Sequence, residues 1–505
     1  MSPNTLAILS LLFGAIWWLF FHHLGRRKNS RKILPPGPRA LPIIGNLHMI
    51  GTLPHRALEA LSKKYGPIML VQLGNIPTIV VSSPRAAELF LKTHDTVFAS
   101  RPNIQAAKYM SYENKGMAFA TYGSYWRNVK KLCTLELLSV RKIDGYEAMR
   151  REEMEVLVQL LKAAAPREVV DLSEMVAGVM EDMTCKMVFG RSNDERFDLK
   201  TVVQKALVLV GAFNIADFVP ILAPFDLQGL TRSLKETSKA IDTILEIIIT
   251  EHEQDPSRIH QTHDKKDFID VMLSLMNNKS STTTHDELSY SIDRNNIKAI
   301  AVDMLVGAID TSTTAIEWVM SEILTHSRVA QKLQQELMNV VGGERMVAET
   351  DLVKLEYLEM IIKETLRIHP VAPLLIPRES MEDIVIDGYF IPKNSRILVN
   401  SWAMGQDPSI WSDDVGEFLP ERFMDGHVDI RGRDFQLIPF GSGRRGCPGM
   451  HLGLTNIRLV VAQLMHCFDW ELPNGMKPNE LDMSEKFGLS LPRAKHLLAI
   501  PTYRL

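Results

Sequence analysis

Phe440-Gly441-Ser442-Gly443-Arg444-Arg445-Gly446-Cys447-Pro448-Gly449 opens the last long helical run of the chain, about 449–467, and its reading decides the fold. Two interpretations compete. Gly441, Gly443 and Gly446 spell GxGxxG between the strand-like Phe435–Ile438 and a helix, and Asp469 lies about where a ribose-binding acid stands in a dinucleotide site. Fewer than sixty residues follow Gly446, which leaves no room for the further βαβ units of such a domain. The second interpretation rests on Cys447. It lies just before a helix N-terminus and beside Arg444 and Arg445, and both features favour thiolate over thiol. The glycines let backbone N–H groups approach the sulfur, and Pro448 suits a first helical turn. A thiolate held in this way is a candidate axial ligand for haem iron. Cys133, Cys185 and Cys467 sit in helical patterns instead and read as small buried hydrophobes.

Outward from this loop, helical periodicity dominates after residue 84, over 84–93, 124–138, 145–164, 233–254, 292–326, 328–341 and 354–368. Strand-like runs occur at Ile68–Leu73 and Thr78–Val81, split by Gly74, Asn75 and Pro77, and again at Ile384–Ile386 and Arg396–Asn400. His260–Ser281 is polar, runs into the biased stretch Ser280–Thr284, and is expected to be an exposed linker between helices. No internal repeat is present. The pattern predicts a mainly α body with a small β-rich lobe, an α+β fold, and disfavours a doubly wound parallel sheet.

The composition agrees with that. Of 505 residues, 46% are hydrophobic and 23% charged, an ordinary globular balance that excludes a disordered, collagenous or polytopic membrane chain. Four cysteines exclude a disulfide scaffold and fit a reducing compartment. A net charge of −3 gives no footprint for nucleic acid. Charge is unevenly placed, however. Residues 1–32 hold no acid and five bases, Arg26, Arg27, Lys28, Arg31 and Lys32, behind the apolar run Leu6–Leu24 with Trp17, Trp18, Phe20 and Phe21. About twenty apolar residues span a bilayer as a helix. Bases that follow the run, with no small-residue cleavage site, argue against a removed signal peptide and hold the remainder in the cytosol. Residues 1–25 are therefore expected to be a single transmembrane anchor in the endoplasmic reticulum membrane, 26–38 a basic flank and stiff hinge around Pro35-Pro36-Gly37-Pro38, and 39–505 one large catalytic domain. With the body in the cytosol, the sequon Asn278-Lys279-Ser280 is expected to stay unmodified.

Phe440–Gly449 matches every fixed position of FxxGxRxCxG, the haem-binding signature of the cytochrome P-450 monooxygenases, and the chain resembles that family throughout, in the style of its plant microsomal A-type branch. The resemblance implies the cytochrome P-450 fold and haem b with Cys447 as its axial thiolate, Phe440 and Arg445 lying in the same cofactor loop. Trp126-Arg127-Asn128-Val129-Lys130 resembles the family's WxxxR segment, with lysine in place of the arginine. Lysine keeps the charge but loses the bidentate fork, so Arg127, Arg378 and Arg445 are further candidates to hold the haem propionates. Glu364-Thr365-Leu366-Arg367, followed by Pro420-Glu421-Arg422-Phe423, resembles the family's ExxR and PERF pair and implies a structural triad of Glu364, Arg367 and Arg422. Gly307-Ala308-Ile309-Asp310-Thr311-Ser312 resembles the oxygen-binding segment, in which the helix locally opens and Asp310 and Thr311 pass protons toward oxygen. Ala308 stands where glycine is usual, which puts the opening in question. By the same resemblance, the 100–120 segment, Val306, Ile309, Val371, Leu374, Leu375, Phe487 and Leu489 line the substrate pocket.

The expected function is a membrane-anchored haem-thiolate monooxygenase that hydroxylates a small lipophilic plant specialised metabolite, terpenoid or phenolic, with O2. The chain has no flavin domain of its own, so electrons are expected from NADPH through NADPH–cytochrome P-450 reductase. Arg127, Lys130, Lys131, Arg444 and Arg445 would offer such a partner a basic surface. Two alternatives remain at this point: a haem-thiolate isomerase or dehydratase on the same fold, which the intact Asp310–Thr311 pair disfavours, and a non-catalytic haem-binding protein.

Overall fold

Arg294–Thr325 is a helix of 32 residues and forms the axis of the molecule. It starts where it does because Asp293 and Asn296 cap each other: the Asn296 N–H donates to Asp293 Oδ1 at 2.8 Å and the Asp293 N–H to Asn296 Oδ1 at 2.9 Å. The helix is apolar on nearly every side, and its length and composition would suffice to cross a membrane. A helix of that kind can also be wholly internal, and here it is a core helix. Ile316, Val319, Met320 and Ile323 pack with the helices Leu172–Phe189 and Met450–Cys467, while Ile297, Ile300, Ala301 and Leu305 pack with Leu230–Gln254 and Phe268–Asn277.

This arrangement is taken from a computed structural model that describes residues 33–164, 167–192, 196–197, 199–259, 266–277, 292–426 and 428–505. The expected anchor over 1–25, the bases through Lys32 and the sequon at Asn278 lie outside these residues.

The small lobe holds a four-stranded sheet in the order Ile68–Leu73, Ile76–Val81, Arg396–Val399, Arg378–Glu379. The first pair is an antiparallel hairpin, and Thr78–Val81 then runs parallel to Arg396–Val399. Beside it the hairpin Ile384–Ile386 and Tyr389–Ile391 closes through Asp387 and Gly388, both at positive φ, as a two-residue turn of this hand requires. At the far end Phe468–Glu471 pairs antiparallel with Leu498–Tyr503.

Three expectations are corrected. Phe435–Ile438 is a turn, not a strand. Its apolar residues serve two cores, with Phe435 and Ile438 in the strand lobe and Leu437 in the helical body, so they do not alternate across a sheet. Phe268–Asn277, inside the expected linker His260–Ser281, is a helix with Phe268, Ile269, Val271, Met272 and Leu273 buried; the polar flanks hid a short apolar core. Helices at Pro54–Tyr65, Leu172–Phe189 and Leu199–Gly211 were not anticipated. The second buries most of its residues, polar Ser173, Glu181 and Thr184 among them, so its periodicity is weak.

Candidate active site

The cysteine loop is shaped by glycine where nothing else fits. Gly441 and Gly443 hold φ of +67° and +70°. A Cβ on Gly443 would stand 2.1 Å from the Leu91 carbonyl oxygen and 2.9 Å from the Asp95 carboxyl. The loop is thereby pressed against the segment Leu91–Asp95. Its far end is tied by the Cys447 N–H, which donates to the Phe440 carbonyl at 2.9 Å. Asp95 then gathers the loop: its Oδ2 accepts the Arg444 N–H at 2.8 Å and its Oδ1 accepts Arg378 Nη1 at 2.8 Å, while Arg378 Nη2 donates to the Ser442 carbonyl at 2.7 Å.

Behind the loop lies an internal cavity of about 300 Å³, and Cys447 is exposed within it. Protein surrounds the sulfur, and this burial raises the thiol above its ordinary value; the Gly449 N–H and Lys130 act in the opposite direction. The sequence expectation that Arg444 and Arg445 would favour the thiolate is corrected here. Arg445 spends its donors on the carbonyls of Ala99 at 2.7 Å, Met117 at 3.3 Å and Ala120 at 2.5 Å and lies 4.1 Å from the Trp126 ring centre; Arg444 faces Asp95.

The same wall concentrates positive charge. Arg101, Arg378 and Arg445 all line the cavity. Burial lowers Arg101 well below its ordinary value, and Arg445 and Arg378 add to the effect. Burial and Arg378 bring Arg445 down to about 9. Arg101 Nη1 is held by the carbonyls of Ile376 at 2.6 Å and Pro377 at 2.9 Å, and its Nε by Ala118 at 3.1 Å. Lys130 also lines the cavity, donating to the Arg444 carbonyl, and burial lowers its pKa. Trp126 closes this side, its Nε1 donating to Met117 at 3.1 Å. Arg127 does not belong to the cavity: it is exposed, in an outer groove with Tyr122, Lys131 and Leu135. Arg127 and Lys130 are three apart on one helix, and only Lys130 turns inward.

Across the cavity stand Met304, Gly307, Ala308, Thr311, Ser312 and Ala315 of the long helix. The helix runs unbroken through this stretch, so the expected local opening is corrected. Thr311 Oγ1 donates to the Gly307 carbonyl at 2.6 Å and Thr313 Oγ1 to Ile309 at 2.8 Å, each bond made four residues back along a regular helix. Asp310 points elsewhere, its carboxyl accepting the Ser490 hydroxyl. Burial raises Asp310, and that bond opposes the rise. Asp303, which sequence reasoning missed, lines the cavity and accepts the N–H groups of Met117 at 2.5 Å and Ala118 at 3.1 Å; burial raises it to about 6.

Of the expected pocket residues, Val371 and Leu375 line the cavity, and the 100–120 segment contributes Arg101, Met117 and Ala118. Leu375 does so at φ +50°, a left-handed backbone that costs a leucine about 1–3 kcal/mol. Val306, Ile309 and Leu489 instead pack into the helical core, and Leu374 and Phe487 into the cluster under the sheet. Residues 304, 308, 311 and 315 share one helical face, and 306 and 309 lie off it.

The triad residues meet in the core. Arg367 grips Glu364 with Nε to Oε2 at 2.7 Å and Nη2 to Oε1 at 2.8 Å, both side chains fully buried. Arg422 Nε reaches Glu364 Oε1 at 3.3 Å, and the Leu419 N–H donates to the same oxygen at 2.9 Å.

These residues fit haem b. A sulfur faces the cavity on one side, aliphatic side chains cover the other, and three inward-facing guanidiniums form an excess of positive charge suited to a pair of propionates: Arg101 and Arg445 are lowered by burial and by neighbouring arginines, and Arg378 by burial. Arg101 is the guanidinium that the motifs did not single out.

Comparison with known proteins agrees. The Cytochrome P450 family model matches residues 35–499. Cytochrome P450 CYP736A12 of Panax ginseng is 59% identical over 506 residues, covering 100% of both chains. Desmethyl-deoxy-podophyllotoxin synthase of Sinopodophyllum hexandrum is 41% identical, covering 94% of this chain and 93% of its own. A solved zebra fish cytochrome P450 with abiraterone superimposes with a TM-score of 0.74 at 26% identity, over 90% of this chain and 100% of that one. With the sulfur, the arginines and the fold in agreement, the chain belongs to the cytochrome P450 family, in its plant A-type branch, and is a haem-thiolate monooxygenase.

Proposed function

We propose that this monooxygenase works anchored to the endoplasmic reticulum membrane, with its body in the cytosol, and hydroxylates a compact lipophilic plant metabolite of terpenoid or phenolic type. The observation that carries the reading is the apposition of Cys447 and Thr311 on opposite sides of one cavity whose remaining wall is largely aliphatic. The family's overall reaction takes O2, two electrons from a reductase and an apolar substrate: RH + O2 + NADPH + H⁺ gives ROH + H2O + NADP⁺. When bound, haem supplies the oxygen activation. The chain's own residues do the rest. Cys447 would supply the thiolate that binds the haem iron, and Arg101, Arg378 and Arg445, with Lys130, would hold the propionates. Ala308, Ala315, Leu366, Val371 and Leu375 exclude water, which keeps the site apolar and gives it few groups to orient a polar substrate. Thr311 carries a hydroxyl into the cavity, and Asp310 beside it is the acid that supplies protons.

The run Leu6–Leu24 with its basic flank supports the anchor. Exposed Arg127 and Arg444, with Lys131 in the groove between them, support docking of an acidic flavoprotein on the cysteine side, taken as NADPH–cytochrome P450 reductase. The relative named desmethyl-deoxy-podophyllotoxin synthase supports a plant product as substrate.

Microsomes carrying the full chain and the reductase, screened against terpenoids and phenolics, test the reading. The expected outcome is an NADPH-dependent product heavier by one oxygen from at least one member of the panel. Turnover confined to strongly polar compounds would overturn it. Removal of residues 1–32 tests the anchor: the protein should shift to the soluble fraction with its haem.

A further inference from the structure

We propose that Ser490 is a positioning residue for oxygen activation, holding the Asp310 carboxyl in its resting place outside the cavity. Ser490 Oγ donates to Asp310 Oδ2, and among the described residues no other side chain bonds that carboxyl. Asp310 does not line the cavity, whereas the adjacent Thr311 does. The acid is therefore held one side chain away from the site it serves.

Ser490 is a firm holder because the loop that carries it is tied on both sides. The next N–H, of Leu491, donates to the Val371 carbonyl at 2.9 Å, and the Leu491 carbonyl accepts Trp318 Nε1 at 2.8 Å. Lys486 N–H closes the loop onto Pro492 at 3.0 Å, and Arg493 Nη1 donates to Ser321 Oγ at 2.9 Å. Trp318 and Ser321 belong to the same helix as Asp310, and Val371 is part of the cavity wall. Ser490 itself is buried. Helix, wall and serine thus form one frame, and the Asp310 carboxyl is joined to it through the Ser490 hydroxyl. For a proton to pass from Asp310 toward Thr311, the carboxyl has to leave the serine, and the serine defines the position to which it returns. Without Ser490 the carboxyl has no defined resting geometry, and proton delivery becomes less efficient.

The inference rests on the reading of Asp310 as the proton-supplying acid. It is tested with the full-length, haem-loaded chain and the reductase, with limonene as an apolar probe. The ratio of H2O2 formed to NADPH oxidised is measured for wild type, S490A, S490T, D310N and the double variant D310N/S490A. Peroxide formation takes one NADPH, one H⁺ and one O2, so the ratio reads failed oxygen activation directly. S490A should raise the ratio roughly 2–10-fold, the worth of one hydrogen bond, with the carbon monoxide spectrum unchanged. S490T, which keeps the hydroxyl, should return it to the wild-type value. In the D310N background, S490A should add nothing, because serine acts through the acid. If S490A does not load haem, S490C, of similar volume and a weak donor, should show the same rise. A raised ratio in D310N with a wild-type ratio in S490A overturns the role of Ser490, as does an additive effect in the double variant, which would mark a packing role. A wild-type ratio in D310N overturns the reading of Asp310 itself, and the proposal with it.

Discussion

Arg378 and Asp95 form a buried ion pair, Nη1 to Oδ1 at 2.8 Å, that joins the strand lobe to the cysteine loop. The two residues lie 283 positions apart in the chain. Each also binds the loop directly, Arg378 through the Ser442 carbonyl and Asp95 through the Arg444 N–H. The position of Cys447 is thus set partly by two charges that no local motif contains.

Arg378→Leu should therefore do two kinds of damage. It takes the ion-pair partner from a buried carboxylate, at a cost of up to about 3–5 kcal/mol, and it removes one of the guanidiniums from the cofactor wall. The expected outcome is a lowered Tm together with less haem per protein than wild type, read by thermal unfolding and by the carbon monoxide difference spectrum. Haem content and Tm both at wild-type level would refute the role given to the pair.

Arg367 makes a sharper case of Arg against Lys. Its guanidinium grips both oxygens of Glu364 and also donates to the carbonyls of Gly405 at 2.7 Å, Val415 at 2.8 Å and Glu417 at 3.2 Å. A lysine keeps the charge but has three donors on one nitrogen and cannot span these partners. Arg367→Lys should leave buried carbonyls unpaired and sharply reduce the yield of haem-loaded protein. Accumulation of holoprotein at the wild-type level would count against the structural assignment.

Much of this was legible in the sequence, and the reason for each success or failure is physical. The cysteine loop, the two acid–base motifs and the long helix are local patterns, and local spacing carries them. Asp95, Arg101, Asp303 and Ser490 act through partners that the fold brings from 17 to 349 residues away, so their neighbours in sequence say nothing of them. Arg101 illustrates this: the charges that act on it are those of Arg445 and Arg378, both more than 270 positions away in the chain. The family resemblance implies Val306 and Ile309 as pocket residues, but a helix turns about 100° per residue and carries them off the face that holds Thr311, against the helical core. The helix Phe268–Asn277 was hidden by polar flanks, and the local opening expected near Ala308 does not occur because the hydroxyls there bond back onto an intact helix.

A pH prediction follows from Glu322. Its Oε1 lies 2.6 Å from His369 Nε2 and its Oε2 3.3 Å from His326 Nδ1, and the His369 ring stacks on Trp318 at 3.9 Å. Burial pushes the carboxyl up, but the two histidines overcome this and hold it at about 2, below the usual 4.5. A folded value below the unfolded one contributes stability that is full above about 4.5 and is lost as pH falls toward 2. The shift is worth on the order of 3 kcal/mol. Glu322→Gln should accordingly be less stable than wild type near neutral pH, and the difference in Tm should shrink as pH drops below about 4.5. A difference that stays constant down to about pH 3 would show that the ionised form contributes nothing.

Thr311 gives the test closest to the chemistry. Its hydroxyl lies among Met304, Gly307, Ala308 and Ala315 in the cavity wall, and at rest it donates to the Gly307 carbonyl at 2.6 Å. That bond engages its proton and leaves the oxygen able to accept a hydrogen bond from water. Thr311→Ala removes the hydroxyl together with one methyl group. The Gly307 carbonyl keeps its place in the helix, so the cost in stability should be about 1 kcal/mol, and haem binding should survive. The two functions of the residue then separate. If the hydroxyl only bonds back to the helix, product formed per NADPH stays the same and only Tm moves. If it carries protons inward, NADPH is still consumed but its electrons leave as H2O2, product per NADPH falls, and the loss lies within the roughly 10²–10⁴-fold that positioned acid–base groups contribute, reduced to the extent that Ser312 or water substitutes. Thr311→Ser, which restores the hydroxyl without the methyl group, should recover most of the product. Peroxide and product measured together on a substrate found by the screen decide between the two, and unchanged coupling in Thr311→Ala would remove this residue from the reaction.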